Sequence, residues 1–246
     1  MKIFPLSEGS FTIDASKVFV PFDANNDQLQ DRPKGSLLVE IQPFLIVTKK
    51  DIILFDTGLG YAKNGVLQLF ENLAAVGIAS TDVTKVLMSH LHRDHAGGLI
   101  VQDTYTKSPY LTFPHAQYYI NELELSFAVS GKSSSYDATY FSFLANNEKV
   151  ELLNERGYID EYIQYEMSGG HSPHHQVFWI HENDEIVFFG GDEAPQIQQM
   201  RTRFVAKYDA DGKRAMELRQ QWWQEGEREH WTFLFYHDIK TPFITK

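Results

Sequence analysis

The chain has 246 residues, 43% of them hydrophobic and 22% charged, enough for one large domain or two small ones and for a core sandwiched between layers. It has no cysteine, so disulfides and thiolate metal sites are excluded, and any metal must be held by His, Asp or Glu. The net charge of −11 disfavours a nucleic-acid partner, no stretch reaches the ~18 apolar residues of a membrane span, and Met1–Glu8 lacks the apolar run of a secretory signal, so a cytoplasmic protein is expected.

Residues 11–21 and 36–48 are rich in Val, Ile and Phe and are predicted strands of a sheet partly open to solvent. The polar segment 25–34 between them is a loop that either lies over a site or merely connects. Lys49-Lys50-Asp51 is a tight turn, and the strand 52–55 then ends in Asp56-Thr57-Gly58. Asp56 is either a turn residue before glycine or a carboxylate that orients a metal-binding histidine from behind. Val66, Leu69, Phe70, Leu73 and Val76 have helical spacing, which predicts a helix over 64–76 capped by Asn64.

A short buried strand is predicted over 83–89. It runs into the most informative stretch of the chain, LMSHLHRDHAGGL, in which His90, His92, Asp94 and His95 follow the pattern H-x-H-x-D-H. A polar loop that happens to be rich in histidine is the bland alternative. Imidazoles and a carboxylate packed this densely are costly unless something binds them, and borderline divalent metals such as zinc take this donor mixture. His90 and His92 are two apart, so an extended backbone sends both side chains the same way. Asp94 and His95 follow a turn and face a second point nearby. The Gly97-Gly98 pair lets the backbone turn tightly after them.

Further on, 118–120 is a short strand, and 122–129 and 137–145 are helices around a Ser-rich connection. Their aromatics Phe127, Tyr136, Tyr140, Phe141 and Phe143 belong to a core, or to a pocket wall if the segment shapes one. Strands are predicted at 162–167, 176–180 and 185–189, the last two joined as a hairpin. A helix over 211–225 and a strand over 231–236 complete the chain. No internal repeat or linker is present, so one domain over 1–246 is expected, with a helical insertion at 121–147. Several strands end in a small or polar residue followed by His or Asp: Ser89-His90, Gly170-His171, Gly191-Asp192 and Tyr236-His237. Such ends converge when their strands lie side by side in one layered fold.

With Phe55-Asp56-Thr57-Gly58, SHLHRDHAGG, GGHSPHHQ, FGGD and YHD in this order, the chain resembles the metallo-β-lactamase fold superfamily over roughly residues 36–240. The resemblance implies an α/β fold, a four-layer αββα sandwich of mixed sheets with the metal site at the strand ends. It implies two divalent metal ions, zinc or else iron or manganese. His90, His92 and His171 would hold one, Asp94, His95 and His237 the other, and Asp192 would bridge them. Five histidines and two carboxylates suit two metals that share a water. The implied activity is a metal-dependent hydrolase in which a dimetal-bound hydroxide attacks an ester, with Asp94 also carrying the proton to the leaving group.

Within the superfamily the chain is most similar to the lactonase group, with a small-molecule ester or lactone as substrate, no nucleic-acid or membrane partner, and a homodimer compatible. One departure is Pro195, three residues after Asp192, where similar acyl-homoserine lactonases place a tyrosine that holds the substrate carbonyl. Alternatives are a phosphotriester or aryl-ester hydrolase, a thioesterase of the glyoxalase II type, and a non-enzymatic metal-binding protein. A nuclease is disfavoured by the charge. A flavin-linked di-iron redox protein lacks room for the flavin domain, and classical β-lactamases use a different second metal set. His174 stands where the superfamily often has glycine and is read as a pocket-edge residue. His175 is read as a structural hydrogen-bonder, and His115, His181 and His230 carry no assigned role.

Overall fold

The computed structural model describes residues 1–103 and 105–246, with Thr139 and Tyr140 described by their backbone alone. Two six-stranded sheets organise the chain. The first has the order Lys2–Pro5, Phe44–Val47, Ile52–Phe55, Lys85–Leu87, Gln117–Asn121, Val150–Leu153, antiparallel at its first two pairings and parallel at the remaining three. The second has the order Arg156–Ile159, Ile163–Met167, Gln176–Glu182, Glu185–Phe189, Thr232–Leu234, Phe243–Thr245, antiparallel except where Glu185–Phe189 pairs in parallel with Thr232–Leu234.

The two-residue period of a strand decides the layers. In the first sheet Leu45, Leu54, Val86, Tyr118 and Ile120 point outward, into a core shared with Leu69 and Leu73 of the helix Gln68–Ala75 and Leu125 of the helix Glu122–Val129. Their neighbours Phe44, Ile46, Ile53, Phe55, Leu87 and Tyr119 point the other way. There they meet Tyr165, Phe178, Ile180, Val187, Phe189 and Leu234 of the second sheet, with Phe55 stacked on Phe189 at 4.5 Å. The outward set of the second sheet, Val177, Trp179, Phe188 and Phe233, packs on Trp222 of the long helix Gly212–Glu229. Three apolar seams between four layers make the expected αββα sandwich. Among the described residues, no helix is long and apolar enough to cross a membrane.

The local differences from the sequence reading have identifiable causes. Residues 11–21 and 36–48 each divide in two. Gly9–Ile13, Phe19–Phe22 and Leu37–Ile41 form a separate three-stranded sheet, and Gln42-Pro43 separates Leu37–Ile41 from Phe44–Val47. Asn64 does not cap a helix. Asn64 and Gly65 both have positive φ, 53° and 80°, and turn a small hairpin between Ala62–Lys63 and Val66–Leu67, so the helix begins only at Gln68. Asn-Gly is the strongest short hairpin signal, and here it outweighed the apolar periodicity. Residues 137–145 become two short pieces, Ala138–Phe141 and Leu144–Asn146. The strand expected over 231–236 covers only Thr232–Leu234, and a further strand, Phe243–Thr245, follows and pairs with it.

At the end of the sandwich where Lys85 begins its strand, its ammonium meets Asp51 at 2.8 Å and Asp160 at 2.9 Å. Burial alone would raise the Asp51 carboxyl, but hydrogen bonds from Lys85, Tyr162 and Thr84 outweigh it and hold the group below its ordinary value. A depressed carboxyl contributes stability that is present above the unfolded pKa and lost as pH falls through the folded one. Lys85→Met should therefore destabilise the protein by about 1–3 kcal/mol at neutral pH, and the difference from wild type should shrink between about pH 5 and pH 3. Urea unfolding at both ends of that range measures it; a pH-independent difference would mean that packing of the lysine stem, not the ion pair, sets the loss.

Candidate metal centre

All the predicted ligands leave strands that run in one direction within each sheet. Ile52–Phe55 and Lys85–Leu87 are parallel neighbours, and Asp56 and His90 follow them. Ile163–Met167, Glu185–Phe189 and Thr232–Leu234 share a direction in the second sheet and lead to His171, Asp192 and His237. After His90, Leu91 turns into the outer core, fully buried, while His90 and His92 face away from it, as an extended backbone requires. His92 caps the short helix Arg93–Ala96, and that helix presents Asp94 and His95.

Gly97 and Gly98 serve close approach rather than an unusual turn. Gly97 is helical, with φ −63°. A Cβ on Gly97 would lie 2.1 Å from the Leu59 carbonyl oxygen, and one on Gly98 2.2 Å from that of Thr57. Gly191 is a different case. It has φ +48°, and an added Cβ would sit 2.8 Å from both His175 Nε2 and Ser89 Cβ. Only glycine passes the chain there without displacing the neighbouring histidine.

The seven residues form two groups whose ligand atoms lie close together, His90, His92, His171 and Asp192 in one, and Asp94, His95 and His237 in the other. In the first, His92 Nδ1 is 2.9 Å from His90 Nε2 and 3.1 Å from His171 Nε2. Ligands on one tetrahedral ion lie about 3.3 Å from each other. In the second, Asp94 Oδ2 is 3.5 Å from His237 Nε2 and 3.9 Å from His95 Nε2. Asp192 reaches both groups. Its Oδ2 is 3.1 Å from His171 Nε2, and its Oδ1 is 3.0 Å from His237 Nε2 and 3.1 Å from His95 Nε2. Asp192 Oδ1 and His95 Nε2 are nonetheless both buried without a hydrogen-bond partner, as two lone pairs aimed at a shared cation would be. The donor set and its unsatisfied atoms therefore fit divalent cations.

The electrostatics point the same way. Burial, reinforced by neighbouring imidazoles, holds His90 and His92 well below the ordinary histidine value, so both offer a lone pair. Burial also opposes protonation of His95, but Asp192, Asp94 and Asp56 outweigh it and raise the group. His171 and His237 are raised by facing carboxylates in the same manner. The site thus draws in positive charge, which a bound divalent cation supplies in place of protons.

A set of outer partners orients the rings. Asp56, fully buried and in the left-handed region at φ 54°, accepts from Ser89 N–H at 2.7 Å and Ser89 Oγ–H at 2.7 Å, and lies 2.7 Å from His95 Nδ1. Asp56 thus turns the chain and also fixes the His95 ring. His171 Nδ1 is 3.0 Å from Asp209 Oδ1, and His237 Nδ1 is 2.6 Å from the Glu40 carbonyl oxygen. The Tyr236 ring stacks on His95 at 4.0 Å and its hydroxyl donates to the Asp94 carbonyl at 2.7 Å. His175 is in neither ligand group, although its ring lies 4.9 Å from that of His90; its Nε2 accepts the Asp192 backbone N–H at 3.1 Å, which fixes the turn carrying that carboxylate.

Sequence reasoning missed Asp209, Glu124 and Tyr208. Asp209 and Glu124 are ordinary carboxylates in polar and helical stretches, and nothing local marks them. Tyr208 meets the His171 ring at 6.0 Å, and its phenol is pushed up to about 12 by partial burial and by Asp192 and Asp209. Of the aromatic segment, Tyr136 packs on His92 at 4.8 Å and Phe127 lies 6.0 Å from His174. Tyr136 and Phe141 both belong to the outer core, Phe127 and Phe143 pack against it, and the side chain of Tyr140 lies outside the described residues. Asn26, Asp27, Gln28, Asp31 and Arg32 of the 25–34 loop wall a cavity of about 310 Å³ with the small sheet, and none of the seven ligand candidates lines it.

The structure is similar to a probable metal-dependent hydrolase from Staphylococcus aureus, at 22% identity and a TM-score of 0.79, covering 99% of this chain and 91% of that one. It is similar to AidC, a dizinc quorum-quenching lactonase, at 20% identity and a TM-score of 0.73, with 98% and 88% covered. AiiA of B. thuringiensis, solved as a mutant with N-decanoyl-L-homoserine at its active site, gives 19% identity and a TM-score of 0.69, with 97% and 94% covered. No curated protein matches the chain. The sequence profile of the metallo-beta-lactamase superfamily spans residues 40–229, more than three quarters of the chain and every ligand candidate except His237, and the chain belongs to that superfamily.

Proposed function

We propose that the protein is a metal-dependent hydrolase that holds two divalent ions and opens the ester of a small neutral lactone. The observation that carries this reading is Asp192, which turns one carboxylate oxygen toward His171 and the other toward His95 and His237. In this reading His90, His92 and His171 hold one ion, Asp94, His95 and His237 the other, and Asp192 both. Two such cations, when bound, lower the pKa of water and polarise the carbonyl under attack.

The chain's own residues do the rest. Asp94 is the ligand carboxylate whose side chain keeps 14% exposure, so it meets both solvent and the His237 side of the site. It can accept a proton from the attacking water and hand it to the departing alkoxide. Tyr208 stands beside His171, and in this reading its phenol holds the substrate carbonyl, the task for which Pro195 has no group.

Specificity follows from the walls. Tyr136, Phe127 and Tyr208 supply aromatic surface. Two flanking arginines are already engaged, Arg214 donating to the Ser168 carbonyl and Arg219 to the carbonyls of Glu193 and Phe204, while Arg93 between His92 and Asp94 is exposed to solvent. A buried anion without a partner costs several kcal/mol. Neutral lactones or aryl esters should exceed phosphomonoesters and glutathione thioesters in kcat/KM by about tenfold or more, equivalent to about 1.4 kcal/mol. A hydrolysis panel on protein of measured metal content tests this, and fastest turnover of the anionic substrates would replace the lactonase reading with a thioesterase or phosphoesterase.

A further inference from the structure

Glu124 carries a buried carboxylate that no step above uses. It sits at the start of the helix Glu122–Val129, whose cap Asn121 accepts the Leu123 and Glu124 backbone N–H groups and so fixes the first turn. The residue is 1% exposed and has no cation beside it in any salt bridge among the described residues. Its oxygens are spent on three separate segments. Oε1 accepts the Leu91 backbone N–H at 3.0 Å and the Tyr136 hydroxyl at 2.9 Å, and Oε2 accepts the Ser172 hydroxyl at 3.3 Å. Leu91 is the residue between His90 and His92. Ser172 follows His171. Tyr136 packs edge-on against the His92 ring at 4.8 Å. One carboxylate therefore braces all three histidines of one group through their backbones or ring faces. The other group has its own supports, Asp56 behind His95 and the Glu40 carbonyl behind His237.

We propose that Glu124 is a positioning residue for the His90–His92–His171 half of the site alone, tying its metal affinity to the placement of the aromatic segment that carries Tyr136. The inference rests on the ligand assignment above. An ion bound by three imidazoles needs their nitrogens held to a few tenths of an ångström, and partners behind the ligands commonly account for about 10–100-fold in metal affinity. Loss of the carboxylate leaves the Leu91 N–H and two hydroxyls without acceptors, so the two loops and the aromatic segment are free to move apart.

The two halves can be read separately in chelator-stripped protein titrated with Co²⁺ and followed by its absorption spectrum. His237→Ala leaves the first half whole, and His171→Ala leaves the second. Glu124→Ala should weaken Co²⁺ binding by about 10–100-fold in the His237→Ala background and by less than about threefold in the His171→Ala background. Glu124→Gln keeps the volume and one acceptor oxygen, so it should show a smaller loss confined to the same background. It also carries the test if the alanine variant does not fold. Equal weakening in both backgrounds, or none in the first, would overturn the proposal. A wild-type protein that fails to bind two equivalents would instead overturn the ligand assignment itself.

Discussion

Asp192→Ala should reduce bound metal from the proposed two equivalents to one or none, and lower kcat/KM on any substrate the wild type turns over by at least about a thousandfold, equivalent to about 4 kcal/mol. The effect is large because Asp192 serves both ligand groups at once. Burial alone would favour the neutral acid, yet His237, His95 and His171 together hold the carboxyl well below its ordinary value. Without it, those imidazoles and any two cations between them would face one another with no shared anion. His174→Ala is the matched control. His174 is half-buried beside Phe127 and is in neither ligand group, so its loss should leave the metal content unchanged. Elemental analysis with steady-state kinetics decides the matter: two metals retained with kcat/KM within about tenfold of wild type would show that Asp192 does not bridge.

Asp56→Asn is expected to show the second-largest effect. The carboxylate accepts from two groups of Ser89 and engages His95 Nδ1, all at 2.7 Å in a fully buried setting. An amide has one acceptor oxygen and two donors. It would leave a Ser89 donor unpaired or force His95 to present an N–H, not a lone pair, toward the ligand group. Metal affinity should fall about 10–100-fold, and unfolding free energy by about 1–3 kcal/mol. Asparagine tolerates the left-handed φ of 54°, so backbone strain is not the cause, as it would be for a bulkier residue. Calorimetric metal titration and denaturant unfolding separate the two losses. Unchanged metal affinity with reduced stability would leave Asp56 as a turn residue only.

The legible part of this protein was local. The spacing of His90, His92, Asp94 and His95 follows from an extended segment running into one helical turn, and both periods are properties of adjacent residues. The strands Ile52–Phe55 and Glu185–Phe189 could likewise be read from a few contiguous side chains, and the order of short motifs along the chain carried the family and its αββα layers. What failed locally failed where two local signals competed, as at Asn64-Gly65.

The rest depended on which surfaces meet. The Leu91 N–H finds Glu124 because the parallel neighbours Lys85–Leu87 and Gln117–Asn121 end side by side, His171 finds Asp209 in the segment before Gly212–Glu229, and the His237 ring finds the carbonyl of Glu40 on the small sheet. Strand periodicity says which side of a sheet a residue occupies but not what lies opposite it. For that reason the sequence by itself determined the ligand candidates and the layering, while the packing of the sandwich decided which carboxylates, carbonyls and rings stand behind those ligands and hold them in place.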